Sequence, residues 1–345
     1  MFLYKNKNAH NLAIDLGNSN TLLSDQHNVL LSQPSCLVIN QNNNKIEAVG
    51  EEAFDMFEKT TADLKSVKPL RGGVIADGES ARKMLYAMVS SVQKKSFFPR
   101  GYHYLISGIP YDTTEVEKRA LRDALNQFRS RNTLLVYEPL AAALGMNLNI
   151  QEPEGKLIVD IGGGITEIVV ISLSGIAAFQ SIKVAGDTFD EDIRDHFRRN
   201  YNMAIGLKTA EQIKVSIGSV LDKLDVRGQE EPVMKVKGKD LMEGIPTSRT
   251  ISSREVASIL NKSFSLIEGS IQQTLESCPP ELAADIYRSG IYVTGGNAQL
   301  HGVKERLVRK FRLPVHIDEH ALLSVSKGTA AIIQAPLKYH SVLFQ

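Results

Sequence analysis

Two stretches of the chain share one pattern of apolar and polar positions. Residues 11–24 (NLAIDLGNSNTLLS) and 157–171 (LIVDIGGGITEIVVI) each run from apolar residues through an aspartate into a glycine-containing turn and back into apolar residues. Their aspartate, glycine and threonine align without a gap. Apolar runs on both sides of such a turn predict a β-hairpin in each copy. The internal repeat indicates two related subdomains.

The turn of each predicted hairpin suits a metal-bound phosphate. Backbone N–H groups in a turn rich in Gly, Asn and Ser can converge on an anion, because few side chains obstruct them. Asp15 and Asp160 end the first strand of each copy. A carboxylate repels phosphate but can hold a hydrated Mg²⁺ that binds it. For either copy taken alone, a plain hairpin whose aspartate accepts turn hydrogen bonds remains the alternative.

The rest of the pattern alternates between helix and strand. Strand-like runs lead into glycine at YHYLISG and GIYVTGG, and the most polar stretch, 221–250, predicts surface strands and loops of a small subdomain. Apolar positions recur with helical spacing in residues 114–129, 188–201, 253–276 and 303–311. This alternation predicts an α/β fold.

Composition narrows the class of protein. A chain of 345 residues suffices for two domains or one large α/β unit. Its formal net charge of +1 argues against a general attraction to nucleic acid. Cys36 and Cys278 are too few for a disulfide framework, which favours a reducing cytoplasm. We find no secretory signal and no apolar stretch of the roughly 20 residues that cross a bilayer, so we expect a soluble or surface-attached protein.

Ordered motifs carry a resemblance to a known superfamily. DLGNSNT, YEPLAAALG, VDIGGGITE, AGDTFDEDI, AIGLKTAEQIKVSIG and VTGGNAQLHG follow one another as in actins, sugar kinases and DnaK-type chaperones. QPSCLVIN, KPLRGGVIADGE, CPPELAADIYRSGIYVTGG and LLSVSKGTAA resemble the MreB family of bacterial actins more closely. The similarity extends from about residue 11 to about residue 335.

The resemblance implies an actin-like, ribonuclease H-like duplicated ATPase fold of two lobes. Mixed sheets flanked by helices would form each lobe, and a nucleotide cleft would lie between the lobes. The expected boundaries are 1–37, 71–150 and 320–345 for the large subdomain of lobe I, 38–70 for its small subdomain, 151–186 and 252–319 for the large subdomain of lobe II, and 187–251 for its small subdomain.

The resemblance also assigns the phosphate side of the site. ATP or ADP with Mg²⁺ would be the cofactor, and Asp15 and Asp160 would organise the metal through water. Glu138 would orient the water that attacks the γ-phosphate, with Thr166 as a second catalytic candidate; an N-terminal or surface carboxylate before a helix is the alternative for Glu138. The residues expected to wrap the β- and γ-phosphates are Gly17, Asn18, Ser19 and Asn20 on one side and Gly162, Gly163 and Gly164 on the other.

The nucleoside would be held by lobe II. Glu211 and Lys214 are three residues apart and therefore share a helix face, where a carboxylate could accept both ribose hydroxyls. A surface ion pair is the alternative for these two residues. The residues expected on the adenosine side are Gly186, Asp187, Glu211, Lys214, Gly295, Gly296 and Asn297, the last three through their backbone.

Three positions depart from the usual MreB pattern. Ile165 stands where a threonine usually helps to hold the attacking water, and isoleucine cannot form that hydrogen bond. Asn18 replaces a threonine in the first copy, and Asn297 replaces a glycine in the third loop. We expect nucleotide binding to survive these changes, whereas hydrolysis would be slow or absent.

Filament formation and membrane attachment are expected from the resemblance. The partners would be further copies of the chain in double protofilaments, the inner face of the cytoplasmic membrane, and cell-elongation machinery such as a membrane adaptor, but not nucleic acid. Phe97 and Phe98, flanked by Lys94, Lys95 and Arg100, match the membrane-binding loop of MreB proteins. Capping of the core by the two phenylalanines is the alternative.

These features favour an ATP-binding filament protein that directs cell shape and cell-wall elongation with weak ATPase activity. A sugar or acetate kinase of the same fold would need a catalytic aspartate and a substrate pocket, for which we identify no motif. A DnaK-type chaperone would need a substrate-binding domain after the nucleotide domain, and we expect none before Gln345. A hydrolysis-deficient accessory MreB paralogue stays open because of Ile165.

Overall fold

Both predicted hairpins form, and each begins a mixed β-sheet. The computed structural model describes residues 11–93, 101–221 and 231–344. The chain divides into two units: unit 1 comprises Met1–Gln151 with Leu323–Gln345, and unit 2 comprises Glu152–Leu322. The finer division into large and small subdomains stays a prediction.

Unit 1 is built on a six-stranded sheet in the order β19-β10-β9-β1-β2-β3. Its strands are β1 Leu12–Leu16, β2 Asn20–Ser24, β3 Val29–Pro34, β4 Leu37–Asn40, β5 Lys45–Val49, β6 Leu64–Val67, β7 Leu70–Arg71, β8 Val74–Ile75, β9 Tyr102–Ile109, β10 Ser130–Tyr137 and β19 Leu343–Phe344. Its helices are α1 Glu51–Met56, α2 Gly78–Val92, α3 Glu115–Leu125, α4 Glu138–Gly145 and α10 Ser324–Gln334. Strands β4, β5 and β6 form a separate small sheet, and β7 pairs with β8.

Unit 2 is built on a five-stranded sheet in the order β13-β12-β11-β17-β18. Its strands are β11 Lys156–Ile161, β12 Thr166–Ser172, β13 Gly175–Ile182, β14 Met203–Ala204, β15 Val233–Asp240, β16 Pro246–Ser252, β17 Ile291–Thr294 and β18 Val315–Ile317. Its helices are α5 Gly186–Asn200, α6 Leu207–Ile217, α7 Ser253–Ser277, α8 Pro280–Ser289 and α9 Val303–Phe311. Strands β14, β15 and β16 form a second, smaller sheet.

The two large sheets share one connection pattern, which confirms the duplication predicted from the sequence. In unit 1, β1, β2 and β3 are antiparallel neighbours, and β9 and then β10 add to β1 in parallel. In unit 2, β11, β12 and β13 are antiparallel neighbours, and β17 and then β18 add to β11 in parallel. Each hairpin therefore lies at the centre of its sheet, where it is fixed on both sides.

Each unit has its own apolar core. Phe189, Phe197 and Phe264 are fully buried in unit 2 and anchor α5 and α7 against the sheet. In unit 1, Leu12, Ile14 and the helix residues of α2 and α3 form the main core. Burial of apolar side chains at about 25 cal/mol per Å² is the main force that keeps each sheet and its helices together.

Three of the four predicted helices match the observed bounds closely, whereas α3 ends earlier than predicted. Thr114 caps α3 and forms a capping box with Glu117, so the start is as expected. The predicted segment continues to residue 129, but the helix ends at Leu125 and β10 begins at Ser130. Phe128 is buried and prolongs the helical spacing of apolar residues beyond the helix itself.

Within the three described ranges, no helix is long and apolar enough to cross a membrane.

Candidate functional site

The β1–β2 turn of unit 1 is held through its carbonyl groups. The Gly17 N–H donates to the Asn20 carbonyl at 3.1 Å and closes the turn. The Ser35 hydroxyl donates to the Gly17 carbonyl at 2.6 Å, and the Ser35 N–H donates to the Ser19 carbonyl at 2.8 Å. A single residue after β3 therefore fixes two carbonyl groups of the turn.

Asp15 and Asn18 flank this turn with buried polar side chains. Asp15 is 9% exposed and pairs with Leu22 in the β1–β2 ladder. The Asn18 side-chain oxygen accepts from the Gly73 N–H at 2.9 Å, which ties the β7–β8 turn to the β1–β2 turn. Asn18, which the sequence analysis assigned only to phosphate binding, therefore also holds the β7–β8 turn in place.

Glu138 begins α4 directly after the end of β10. Pro139 is the second residue of the alanine-rich helix, which therefore starts one residue earlier than predicted. Glu138 lines a small, partly open pocket within unit 1. The other residues around this pocket are Leu16, Leu70, Gly73, Val74, Ile75, Gly108, Ile109, Pro110, Thr113, Glu117 and Leu121. The pocket extends from Glu138 to the residue that follows Asp15.

The corresponding β11–β12 turn of unit 2 is held by partners from two other segments. The Gly162 carbonyl accepts from the Gly186 N–H at 3.1 Å and from the Asn297 side-chain amide at 2.6 Å. The Gly163 carbonyl accepts from the Asp187 N–H at 2.7 Å. The first residues of α5 and the short 3-10 helix near residue 297 thus fix the peptide planes of this turn.

The N–H groups of the same turn are oriented but unpaired. The Gly162 N–H donates to the Ile165 carbonyl at 3.1 Å. In the described part of the chain, the N–H groups of Gly163, Gly164 and Ile165 have no acceptor. Successive N–H groups of this kind form a concave site for an anion such as phosphate.

Asp160 lies beside this turn as a carboxylate without a partner. Its neighbours across the sheet are Glu167 and Thr294. Among the described residues, none forms a hydrogen bond or ion pair with its side chain, and desolvation raises the pKa of Asp160 from 3.8 to about 6. Gly295 has a φ of 85° and lies next to this carboxylate. A Cβ on Gly295 would come within 2.4 Å of the Asp160 Oδ1, so the position leaves no room for a side chain. A desolvated carboxylate of this kind fits a hydrated cation such as Mg²⁺.

A buried ion pair lies on the other side of Gly186. The Lys214 amine is 2.9 and 3.0 Å from the two carboxylate oxygens of Asp190 and donates to the Gly186 carbonyl at 3.2 Å. Desolvation raises the pKa of Asp190 to about 7, Lys214 opposes this shift, and the charges of Glu211 and Asp187 reinforce it. Sequence reasoning missed Asp190, although it lies one helical turn after Asp187 in AGDTFDEDI.

The two threonines of the repeat are both buried and hydrogen-bonded, but to different kinds of partner. The Thr166 hydroxyl donates to the Val184 carbonyl at 2.7 Å, and the Thr21 hydroxyl lies 2.8 Å from that of Ser35. Both threonines are fully buried. Ile165, next to Thr166, is 9% exposed and has no hydroxyl to offer.

The structure groups the predicted site residues within each unit. Unit 1 brings together the turn Gly17, Asn18, Ser19 and Asn20 with Asp15, and places Glu138 on the pocket nearby. Unit 2 brings together Asp160, Gly162, Gly163, Gly164, Gly186, Asp187, Glu211, Lys214, Gly295, Gly296 and Asn297. Phe97 and Phe98 lie outside the described residues.

Solved structures define the class of protein to which this duplicated fold belongs. A double helical filament of MamK has a TM-score of 0.77 and 21% identity, covering 95% of this chain and 99% of that one. This likeness shows the fold, which is actin-like. MreB5 of Spiroplasma citri bound to AMPPNP has a TM-score of 0.89 and 36% identity, covering 97% and 98% of the two chains. The ADP-bound MreB5 has a TM-score of 0.90 at the same identity, covering 97% and 99%.

Sequence comparisons narrow the class to one family. A family model described as MreB/Mbl protein matches residues 9–341. The cell shape-determining protein Mbl of Bacillus subtilis is 36% identical, with 94% of this chain and 96% of Mbl covered. The cell shape-determining protein MreB of Escherichia coli K12 is 37% identical, with 93% and 92% covered. The chain belongs to the MreB/Mbl family.

Proposed function

We propose that this chain is an actin-like cell-shape protein that binds ATP or ADP with Mg²⁺ and assembles into membrane-associated filaments. Membership of the MreB/Mbl family supports the cell-shape role. MreB5, at 36% identity, was solved with AMPPNP and with ADP, which supports an adenine nucleotide as the ligand. One observation in unit 2 carries the proposal: the unpaired N–H groups of the β11–β12 turn lie beside the desolvated, partnerless Asp160.

Different site residues would bind different parts of the nucleotide, according to their chemistry. The N–H groups of the β11–β12 turn would bind phosphate oxygens, and Asp160 and Asp15 would hold Mg²⁺ through water. Bound Mg²⁺ would neutralise the charge of the phosphates and so permit two carboxylates near the same ligand. Gly295 and Gly296 would let the backbone approach the adenine closely. Glu211 would accept hydrogen bonds from the ribose hydroxyl groups.

Hydrolysis is proposed to be weak. Glu138 would act as the acceptor that orients the attacking water, which in phosphoryl transfer needs in-line positioning more than covalent chemistry. Thr166 uses its hydroxyl to bond the Val184 carbonyl, so it would support the turn. The Ile165 side chain provides no hydrogen bond to water. A filament protein that binds nucleotide but does not hydrolyse it, serving as an accessory paralogue, is therefore the second candidate function.

Filament assembly, attachment to the inner face of the cytoplasmic membrane and contact with a membrane adaptor are the finer parts of the proposal. MamK, whose fold this chain shares, was solved as a double helical filament, which supports self-assembly. The composition of the segment around Phe97 and Phe98 supports membrane attachment. Replacing both phenylalanines with serine should reduce sedimentation of the chain with anionic liposomes, and unchanged sedimentation would contradict this role.

The decisive experiment combines titration and microscopy of the full chain. Calorimetric titration should show binding of ATP and ADP that strengthens when Mg²⁺ is present. Electron microscopy with ATP on lipid vesicles should then show double filaments on the membrane. Failure to retain either nucleotide at millimolar concentrations would refute the binding proposal, whereas nucleotide binding without filaments would refute the cytoskeletal one.

A further inference from the structure

We propose that Asn297 is a positioning residue of the nucleotide site, whose side-chain amide holds the β11–β12 turn ready for the β- and γ-phosphates before nucleotide arrives. This inference rests on the proposed function and adds a role for the side chain, because the resemblance had assigned only backbone contacts to residue 297. The glycine that is usual at this position in MreB proteins has no amide to give. The proposed device is therefore a property of this chain.

Asn297 acts on the turn through its hydrogen bond to the Gly162 carbonyl. A carbonyl oxygen has two lone pairs, and here both are used: by the Gly186 N–H at 3.1 Å and by the Asn297 Nδ2 at 2.6 Å. The peptide group is planar, so fixing the Gly162 carbonyl also fixes the direction of the Gly163 N–H on the opposite side of the same plane. Asn297 thereby orients a donor that it does not touch.

The turn needs such a restraint because of its composition. Gly162, Gly163 and Gly164 are the most flexible residues a turn can contain, and ordering them on binding costs conformational entropy. The equivalent β1–β2 turn contains Asn18 and Ser19 instead, which restrict the backbone themselves. Preorganising a flexible binding loop raises affinity by removing part of that entropic cost.

Gly186 leaves the space in which the amide of Asn297 lies. A Cβ on Gly186 would come within 2.6 Å of the Asn297 Nδ2 and within 3.2 Å of the Lys214 Nζ. Asn297 itself is only 8% exposed. A methyl group at residue 186 would therefore displace the amide from the Gly162 carbonyl, so residues 186 and 297 should behave as one unit.

The test compares nucleotides that differ only in the number of phosphates. Calorimetric titration of the natural chain, Asn297→Ala and Asn297→Gly should show affinity for ADP and ATP reduced roughly three- to tenfold, the usual effect of one hydrogen bond. AMP should bind with unchanged affinity, because it lacks the phosphates that use the turn. The matched control is Gln299→Ala, which removes an exposed amide from the same 3-10 helix and should leave the affinity for ADP unchanged.

The outcomes separate this inference from the proposed function. An equal loss for AMP, ADP and ATP would overturn it, because residue 297 would then support the adenosine side or the fold as a whole. Tight ADP binding that is the same in the natural chain and in Asn297→Ala would overturn it while leaving the proposed function intact. No binding of any nucleotide by the natural chain would overturn both.

A second pair of variants tests the coupling independently of how well any one variant folds. Gly186→Ala should weaken ADP binding in the natural chain. In the Asn297→Gly background its further effect should be smaller, because no amide remains to be displaced. Thermal unfolding of all four proteins gives the correction for stability. Equal losses from Gly186→Ala in both backgrounds would refute the claim that the two residues act together.

Discussion

The β1–β2 turn and the β11–β12 turn share a backbone plan and differ in what holds them. In unit 1, polar side chains within and beside the turn do the holding: the Ser35 hydroxyl bonds the Gly17 carbonyl, and Asn18 bonds the Gly73 N–H. In unit 2 the turn consists of glycines, so its restraints come from α5 and Asn297. The glycine turn of unit 2 has no side chains of its own to hold it, so its restraints come from segments distant in sequence.

The β11–β12 turn combines backbone donors with an adjacent carboxylate that lacks a partner among the described residues. Asp160 has no partner in the described part of unit 2, and the adjacent N–H groups are unpaired. The charged form of Asp160 is unfavourable without a ligand, because desolvation penalises a carboxylate that has no partner. A site that is unfavourable when empty is compensated when a cation and an anion bind together, as a magnesium nucleotide would.

The largest effect is expected from removing the Asp160 charge. Asp160→Asn should lower the affinity for ATP with Mg²⁺ by roughly 10- to 100-fold, as changes among the groups around a metal commonly do. Without Mg²⁺ the effect should be much smaller, because the metal link is already absent. Titrations of the natural chain and of Asp160→Asn with and without Mg²⁺ measure both. Asp15→Asn is the matched variant in the other turn. If Asp160→Asn loses as much affinity for ATP without Mg²⁺ as with it, Asp160 does not bind the metal.

The same substitution should stabilise the nucleotide-free protein at neutral pH. The folded chain keeps the Asp160 proton up to about pH 6, whereas an unfolded chain releases it near pH 4. The unfolding free energy should therefore fall as the pH rises through this interval, by up to roughly 3 kcal/mol from this group. Asparagine carries no charge and removes that loss.

Thermal unfolding between pH 5 and pH 8 measures the difference. Asp160→Asn should have a melting temperature a few degrees above that of the natural chain at pH 8 and a smaller advantage at pH 5, where Asp160 is itself protonated. A constant difference at all pH values would contradict desolvation of this carboxylate.

A smaller effect is expected at Ile165, which corresponds to Asn20 in the other turn. Ile165→Thr restores a hydroxyl next to the unpaired N–H groups and should raise ATP turnover roughly three- to tenfold, the effect of one added hydrogen bond on the attacking water. Ile165→Val has the shape of threonine without the hydroxyl and is the control. Phosphate-release assays that show equal or lower turnover in Ile165→Thr than in Ile165→Val would refute this account.

Local patterns predicted the parts of the site that depend on neighbours in sequence. The paired hairpins and the helices α5, α7 and α9 follow from apolar spacing and turn residues. The restraints on the turns do not, because Asn297 bonds a carbonyl 135 positions away and Lys214 pairs with Asp190 on another helix. Sequence spacing suggested Glu211 as the neighbour of Lys214, whereas folding supplied a closer carboxylate.

The smallest effect is expected from making the first turn resemble the second. Asn18→Gly gives the β1–β2 turn the glycine found at residue 163 and removes the acceptor of the Gly73 N–H. The free energy of unfolding should fall by roughly 0.5–1.5 kcal/mol, the net value of one hydrogen bond, and by a further amount because the added glycine makes the unfolded chain more flexible. Ser19→Gly controls for that flexibility, because the Ser19 hydrogen bond to Ser35 uses the backbone carbonyl and survives the change.

Hydrogen exchange at the Gly73 amide should accelerate in Asn18→Gly but not in Ser19→Gly. If both variants accelerate it equally, the β7–β8 turn is held by the backbone of the first turn, and the contrast between side-chain support in unit 1 and remote support in unit 2 fails.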